Sequence, residues 1–363
     1  MTMTLAAVTL LLLVATLLPL WRHPHWLVRG MDFPRLLLAV AAVLLLLAQC
    51  TLLPLAAPLS WGLLAATAAC LLWQFWWIAP YTPLWRKEVK SSCNDDPSVR
   101  LGIMTANVLA TNRNAQPLLQ LVQAYQPDVL VTLESDQWWQ DQLDVLEPVM
   151  PHSLKCPLDN FYGMHVYSRL PMDDTSIEYL VEDSIPSMHA VVTLRSGDKV
   201  RLHFLHPAPP SPTENPESAE RDAELVMVAR SVVDSRLPVV VTGDLNDVAW
   251  SATTRLFRAI SGLLDPRVGR GMFNTFHADY SFLRWPLDHL FHSEHFTLRT
   301  LRRLPPIGSD HFALFTELVF TPARGADQEG LDATREDHAL ARSITDAKQV
   351  SAADVPMPGE HAL

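Results

Sequence analysis

The segment Thr242-Gly-Asp-Leu-Asn246 carries a carboxylate and a neutral amide two positions apart, immediately after the apolar run Pro238 to Val241. A buried strand that ends in a polar site has this pattern, and if the extended conformation persists both side chains point the same way. Gly243 is expected to let the backbone approach a ligand closely. Taken alone, such a segment is equally a strand followed by an Asp/Asn turn. Other positions repeat the arrangement. Arg100 to Val108 reads as a strand delivering Asn107, Val129 to Leu133 is a short apolar strand with Glu134 at its end, and Val200 to Leu205 runs into His206. Pro286 to Phe291 places Asp288 in a strand, and Asp310-His311 precedes the strand Phe312 to Phe320. Carboxylates, amides and histidines recurring at strand termini suggest convergence on one rim of an α/β core.

The elements that must position these groups read as follows. Pro117 to Tyr125 has helical spacing of Leu118, Leu119, Leu121 and Val122 and stops at Gln126-Pro127-Asp128. His189 to Leu194 and Val200 to Leu205 form a hairpin across Ser-Gly-Asp, and Phe161 to Tyr167 is a further strand. After a loop rich in Pro, Ser, Thr and Glu, Ala219 to Ser235 and Thr253 to Ile260 are helical. Residues 100–320 therefore form one α/β domain, 86–99 a polar linker, and 321–363, poor in large apolar residues, a tail expected to be largely disordered.

Residues 1–85 differ from all of this. Leu5 to Leu20, Leu36 to Leu53 and Leu59 to Ala79 are apolar runs near or at membrane-spanning length without a charged side chain, so three transmembrane helices are expected. Trp21, Trp26, Trp61, Trp73, Trp76, Trp77, Tyr81 and Trp85 crowd the ends of the runs as an interfacial belt would, Trp73 being equally placed to face lipid. Arg22, Arg29, Arg35, Arg86, Lys87 and Lys90 fall on one side and no Lys or Arg on the other. The positive-inside rule then places the α/β domain in the cytoplasm, with an extracytoplasmic domain as the alternative. Residues 86–363 hold 25 of the 28 basic and 38 of the 39 acidic residues, a formal charge of −13, which excludes a global basic footprint for nucleic acid. The four cysteines form neither a disulfide framework nor a CxxC zinc signature.

The strand-end set resembles the endonuclease/exonuclease/phosphatase superfamily, whose fold is like that of deoxyribonuclease I. The matching segments are Thr105-Ala-Asn-Val108, Val131-Thr-Leu-Glu134, Tyr162-Gly-Met-His-Val-Tyr-Ser-Arg-Leu-Pro171, His206-Pro-Ala-Pro-Pro210, Thr242-Gly-Asp-Leu-Asn246, Pro286-Leu-Asp-His289 and Gly308-Ser-Asp-His311. The resemblance implies a four-layer α/β/β/α sandwich with the active site at one edge. It also implies roles. Glu134 would be the principal Mg²⁺ or Mn²⁺ ligand with Asn107 close by, and Asp310 would complete the metal or base network. Asp244 would orient or deprotonate the attacking water, and Asn246 would hold a phosphate oxygen. His311, oriented by Asp288, would contact the scissile phosphate, and His206 would assist the leaving oxygen or the phosphorane charge. Oxygen ligands suit such hard ions. Tyr167 and His165 depart from the aliphatic residues common at their positions, which bears on the pocket wall. Arg169, His165, His203 and His289 read as structural.

The expected function is a membrane-anchored, Mg²⁺-dependent hydrolase of a phosphodiester or phosphomonoester, with a lipid-linked or other membrane-surface substrate. A nuclease acting on DNA or RNA is the alternative that the negative charge disfavours. A catalytically silent membrane adaptor is the alternative that the complete acid and histidine set disfavours.

Overall fold

The computed structural model describes residues 1–325 and 327–359. The chain opens with α1 (Thr2–Leu17), a short α2 (Trp26–Arg29), α3 (Arg35–Leu52) and α4 (Pro58–Ile78). There follow β1 (Arg100–Asn107), α5 (Gln116–Tyr125), β2 (Val129–Leu133), α6 (Gln137–Leu143), β3 (His152–Cys156), β4 (Met164–Ser168), β5 (Met172–Glu178), β6 (Ser187–Thr193) and β7 (Lys199–Leu205). The remainder is α7 (Ala219–Ser231), β8 (Val239–Asp244), α8 (Ala252–Ser261), β9 (Asp288–His292), β10 (Phe296–Pro306), β11 (Phe312–Phe320), α9 (Pro322–Gly325) and α10 (Arg335–Lys348).

Among the described residues the strands make a six-stranded sheet, ordered β10-β11-β1-β2-β4-β3, and a five-stranded sheet, ordered β5-β6-β7-β8-β9. Alternation along the strands builds the layers. Ile103, Val131 and Val166 of one sheet meet Met188, Leu202 and Val240 of the other in the central core. Met104, Leu130 and Phe315 face the opposite way, onto Leu118 and Val122 of α5 and Trp139 of α6. Val239 and Val241 pack outward on Leu225 and Val228 of α7 and Leu256 of α8. The result is the four-layer sandwich.

Two sheets placed face to face bring their ends together only if the strands are in phase. Thr105 of β1 and Thr242 of β8 share a hydrogen bond of 2.9 Å between the sheets, each two residues before a chemistry-bearing side chain, Asn107 and Asp244. β1 and β2 are parallel, as are β7 and β8, so their carboxyl ends lie at the same edge. β9 and β11 run antiparallel to their neighbours, which puts Asp288 opposite Asp244 and the start of β11 beside the end of β1.

The three apolar helices are each long and apolar enough to cross a membrane. Their polarity is inverted relative to a soluble bundle. Leu10, Leu11, Leu44, Leu47 and Leu72 are exposed, while Thr9, Gln49, Thr67 and Gln74 are buried between the helices. Gln49 donates to Thr9 at 2.9 Å and to Thr67 at 3.0 Å, Gln74 donates to Thr16 at 3.0 Å, and Arg35 donates to Gln74 at 3.1 Å. Such bonds hold helices together where no hydrophobic force acts between them.

Two expectations are corrected. Residues 327–359 of the expected disordered tail include α10, capped by a reciprocal Thr334/Asp337 box, with Ala341 and Thr345 buried against the outer helical layer. Its apolar stripe is short enough to vanish in an average over the whole acidic tail. Residues 360–363 of that tail, and Ala326, lie outside the described residues. The expected linker is packed rather than free: Val89 is fully buried, Glu88 pairs with Arg258, and Ser92 donates to the Leu298 carbonyl at 2.7 Å.

Gly243 is also reassigned. Its φ is 150°, and a Cβ there would lie 1.9 Å from the Leu205 carbonyl oxygen, so the close approach is to the neighbouring strand β7 and not to a ligand. Gly243→Ala should therefore destabilise the chain by roughly 3 kcal/mol or more, as strain and a backbone clash combine. Chemical denaturation in detergent checks this, and an unchanged midpoint would refute it.

Candidate active site

Strand ends supply the site. β1 ends at Asn107, β8 ends at Asp244 and β9 begins at Asp288, while Glu134 directly follows β2 and Asp310-His311 directly precede β11. Glu134 and Asn246 adopt left-handed backbone conformations, with φ of 56° and 50°. A non-glycine residue tolerates this at some cost, and such outliers gather at functional sites. The strand does not carry Asn246 onward in register with Asp244. Instead Asp244 Oδ1 accepts the Asn246 backbone N–H at 2.9 Å, the chain turns, and Asn246 Nδ2 donates to the Pro207 carbonyl at 3.0 Å. That bond ties the β8 turn to the segment following His206.

Asn107 lies at the centre. Its Nδ2 donates to Glu134 Oε1 at 2.7 Å and to Asp244 Oδ2 at 3.2 Å, while its Oδ1 accepts the Leu109 N–H at 3.1 Å. The amide thus bridges carboxylates from the two sheets. His311 makes the second bridge: its Nδ1 bonds Asp288 Oδ2 at 2.8 Å and its Nε2 lies 3.5 Å from Asp244 Oδ2. Asp244, Asp288 and His206 are all buried, and Asp288 Oδ1 and His206 Nδ1 have no hydrogen-bond partner among the described residues.

The electrostatics follow from burial and crowding. Burial alone would lower the His311 pKa, but the Asp288 and Asp244 carboxylates outweigh it and raise the imidazole to about 10, so it is a cation at neutral pH. Burial raises the Asp244 carboxyl, an effect opposed by His311 and reinforced by Asp288. Glu134 is pushed up to about 7, first by burial, with Asp310 and Asp244 adding to it against the pull of Asn107 and His311. His206 is lowered to about 4, chiefly by burial, and is neutral.

Residues 104–311 match the Endonuclease/Exonuclease/phosphatase family. The chain belongs to that family. No curated protein matches it. Solved structures that share the fold include an endonuclease/exonuclease/phosphatase from Beutenbergia cavernae, at 17% identity over 61% of this chain and 72% of that one, with a TM-score of 0.50. The human Nocturnin catalytic domain with bound sulfate anion is similar at 17% identity over 62% and 96% of the two chains, also with a TM-score of 0.50.

Enzymes of this family generally use a divalent metal ion, and the residues here fit one. Among the described residues Asp244, Asp288 and His311 form a group whose donor atoms lie within 4.8 Å of one another. A protonated His311 has no lone pair to give, so this group reads better as a hydrogen-bonded relay than as a ligand set. Glu134 and Asp310 are the half-exposed acids of the cluster. Burial, more than its acidic neighbours, pushes Glu134 up, and a cation beside it would stabilise the charged carboxylate.

The structural histidines behave as the sequence reading expects in two cases. His165 meets Ser135 Oγ at 2.6 Å, and His289 lies between Arg267 at 2.6 Å and the Asp247 carbonyl at 2.9 Å. His203 bonds His189 at 2.7 Å, but its Nε2 is buried without a partner among the described residues. Arg169 donates to the Pro127 carbonyl at 2.9 Å, a structural role. Sequence reasoning missed Arg221, which is fully buried, donates to the Asn246 carbonyl at 2.8 Å and pairs with Asp222 and Asp247. It also missed Phe276, whose ring lies 4.9 Å from that of His311, and the use of Tyr162, whose ring lies 5.3 Å from His206. Only tertiary packing places these three, since none follows an apolar strand in a strand-end motif.

The His311 proton depends on Asp288. In the wild type the imidazole should titrate near pH 10, and the stability it contributes should be complete below about pH 6.5 and disappear as pH rises through 10. Asp288→Asn removes the nearest carboxylate and should shift the His311 titration to clearly lower pH. Histidine NMR of metal-free protein with His311→Gln for assignment checks this, and an unshifted titration in Asp288→Asn would refute the relay.

Proposed function

We propose that this family member is a membrane-anchored phosphoesterase, dependent on Mg²⁺ or Mn²⁺, that hydrolyses a phosphodiester or phosphomonoester presented at the membrane surface. The observation that carries the reading is the convergence of Glu134, Asp310, Asp244, Asp288 and His311 at the joined edges of the two sheets. Glu134 and Asp310 would hold the metal, with Asn107 fixing the Glu134 carboxylate through its N–H. When bound, the ion supplies charge neutralisation at the phosphate oxygens. Asp244, held by the Asn246 N–H, accepts the proton of the attacking water. His311 donates from Nε2 to a phosphate oxygen while Asp288 holds its other N–H, and Asn246 offers its side chain beside the same oxygens. His206, uncharged, can donate an N–H toward the leaving oxygen but brings no formal charge. Positioning and electrostatic stabilisation are the main contributions in such a scheme.

Three features support a membrane surface as the place of reaction. The helices present leucine outward and glutamine and threonine inward, as lipid requires. The loop between α1 and α3 is built into the catalytic domain: Trp26 N donates to the Pro216 carbonyl, Ser218 N to the Pro24 carbonyl, and Trp250 Nε1 to the Asp32 carbonyl, at 2.8 to 2.9 Å. The same loop reaches the site through stacked rings, since Phe33 lies 5.8 Å from Trp285, Trp285 lies 6.1 Å from Phe276 and Phe276 lies 4.9 Å from His311. His311 is thus two aromatic side chains from the interhelical loop. A freely diffusing nucleic acid fits less well, because a formal charge of −13 on residues 86–363 repels a polyanion.

Turnover of a phosphoester by the full-length protein should require Mg²⁺ or Mn²⁺ and cease in chelator. Glu134→Gln should lower kcat by about 100-fold or more and raise the metal concentration required. Undiminished turnover in chelator would refute the metal assignment.

The basic side of the helices supports a cytoplasmic catalytic domain. A fluorescent protein that matures only there, fused after Leu363 so that α10 stays in place, should light up, and alkaline phosphatase at the same point should remain inactive. The opposite pair of results would put the domain outside and make an outer-leaflet phosphoester the substrate class.

A further inference from the structure

Between the end of α4 and the catalytic domain lies a cavity of about 360 Å³. Its wall on the helix side is Trp76, Trp77 and Pro80, and its far wall includes Trp250 and Arg255 of the segment leading into and along α8. The cavity holds five basic side chains and three acids: Arg86, Lys87, Lys90, Arg255 and Arg258 against Glu88, Asp327 and Glu329. Arg258 pairs with Glu88, and Lys90 pairs with Asp327. The side chains of Arg86, Lys87 and Arg255 make no ion pair or hydrogen bond among the described residues, and all three residues are exposed. Arg255 instead lies over the Trp77 ring, 6.0 Å from its centroid. A second cavity, of about 370 Å³, adjoins the same two residues and adds Arg22, whose side chain again makes no ion pair or hydrogen bond among the described residues, together with Arg29, which pairs with Asp222.

Unpaired cations around a partly aromatic cavity call for an anion with an apolar portion. The position decides its source. The cavity opens at the end of a 24-residue span of membrane length, and Trp76, which lines it, is one helical turn from Leu72 on the outer face, both highly exposed. A molecule with its phosphate at Arg86, Lys87 and Arg255 would lay an acyl chain along Leu72 and Trp76. We propose that this junction is a binding site for the headgroup of an anionic phospholipid, distinct from the catalytic centre, which seats the catalytic domain against the bilayer. The proposal rests on the membrane anchoring put forward above. Glu329 in the wall sets a limit on it, favouring a singly charged phosphodiester headgroup over a polyphosphorylated one.

The full-length protein, extracted in mild detergent and mixed with phosphatidylglycerol or phosphatidylcholine, tests the site by native mass spectrometry. Wild type should retain phosphatidylglycerol in preference, and Arg255→Glu and the pair Arg86→Glu/Lys87→Glu should each reduce that preference roughly fivefold or more. Melting temperature and hydrolysis of a soluble phosphodiester should stay at wild-type values in both variants. Inorganic phosphate in large excess should not displace the lipid. Equal retention of both lipids by wild type, a preference that survives the reversals, or displacement by phosphate overturns the lipid site. Catalytic failure of the wild type on every phosphoester leaves this readout intact and sinks the enzymatic reading alone. Loss of the protein from carbonate-washed membranes sinks the anchoring, and the lipid site with it.

Discussion

The rest of the molecule is arranged around the cost of holding several carboxylates together out of water. Asp244 and Asp288 are opposite residues of adjacent strands, both buried, and Glu134 and Asp310 stand at the same edge. Like charges so placed repel, and burial adds to the penalty. Two donors hold them: the Asn107 amide, between Glu134 and Asp244, and the His311 imidazolium, between Asp288 and Asp244. Each donor comes from the six-stranded sheet, and Asp244 and Asp288 come from the five-stranded one. The site is therefore also a seam, and its charge balance is part of what keeps the sheets in phase.

That seam continues toward the helices by way of buried ionic links. The carbonyl of Asn246 is fixed by Arg221, Arg221 by Asp222 and Asp247, and Asp222 by Arg29 of α2. Buried ion pairs contribute little net stability but make loss of one partner costly, so they specify geometry more than they strengthen the fold. Here they fix the turn after β8 relative to the interhelical loop. The helices are consequently not a separable unit, because their connecting loop packs on the domain that carries the site.

The legibility of the fold tracked burial. Central strands β1, β2, β7, β8 and β11 are apolar runs and could be read directly. The strands missed were β3, β5 and β10, which are three of the sheet edges. β5, Met172-Asp-Asp-Thr-Ser-Ile-Glu178, has no fully buried residue and carries charges, as an edge does that must avoid further pairing, and so it shows no apolar run. α10 escaped notice for a related reason: its buried stripe is narrow, and the acidic composition around it resembles that of a disordered segment.

The sequence by itself determined the family, the layered α/β class, the three apolar helices and the identity of the strand-end acids, amides and histidines. These properties are written in local patterns, apolar runs of strand length ended by polar residues, and do not require knowledge of distant contacts. Tertiary structure alone decided the rest. The Asn107 amide turns its N–H toward two carboxylates, Gly243 yields space to a neighbouring carbonyl, Asn246 leaves the strand direction, and Phe276 and Arg221 join the site from segments without a motif. Each of these outcomes depends on which sheet edge meets which, and pairing between residues more than a hundred positions apart leaves no periodicity in one chain for a reader to find.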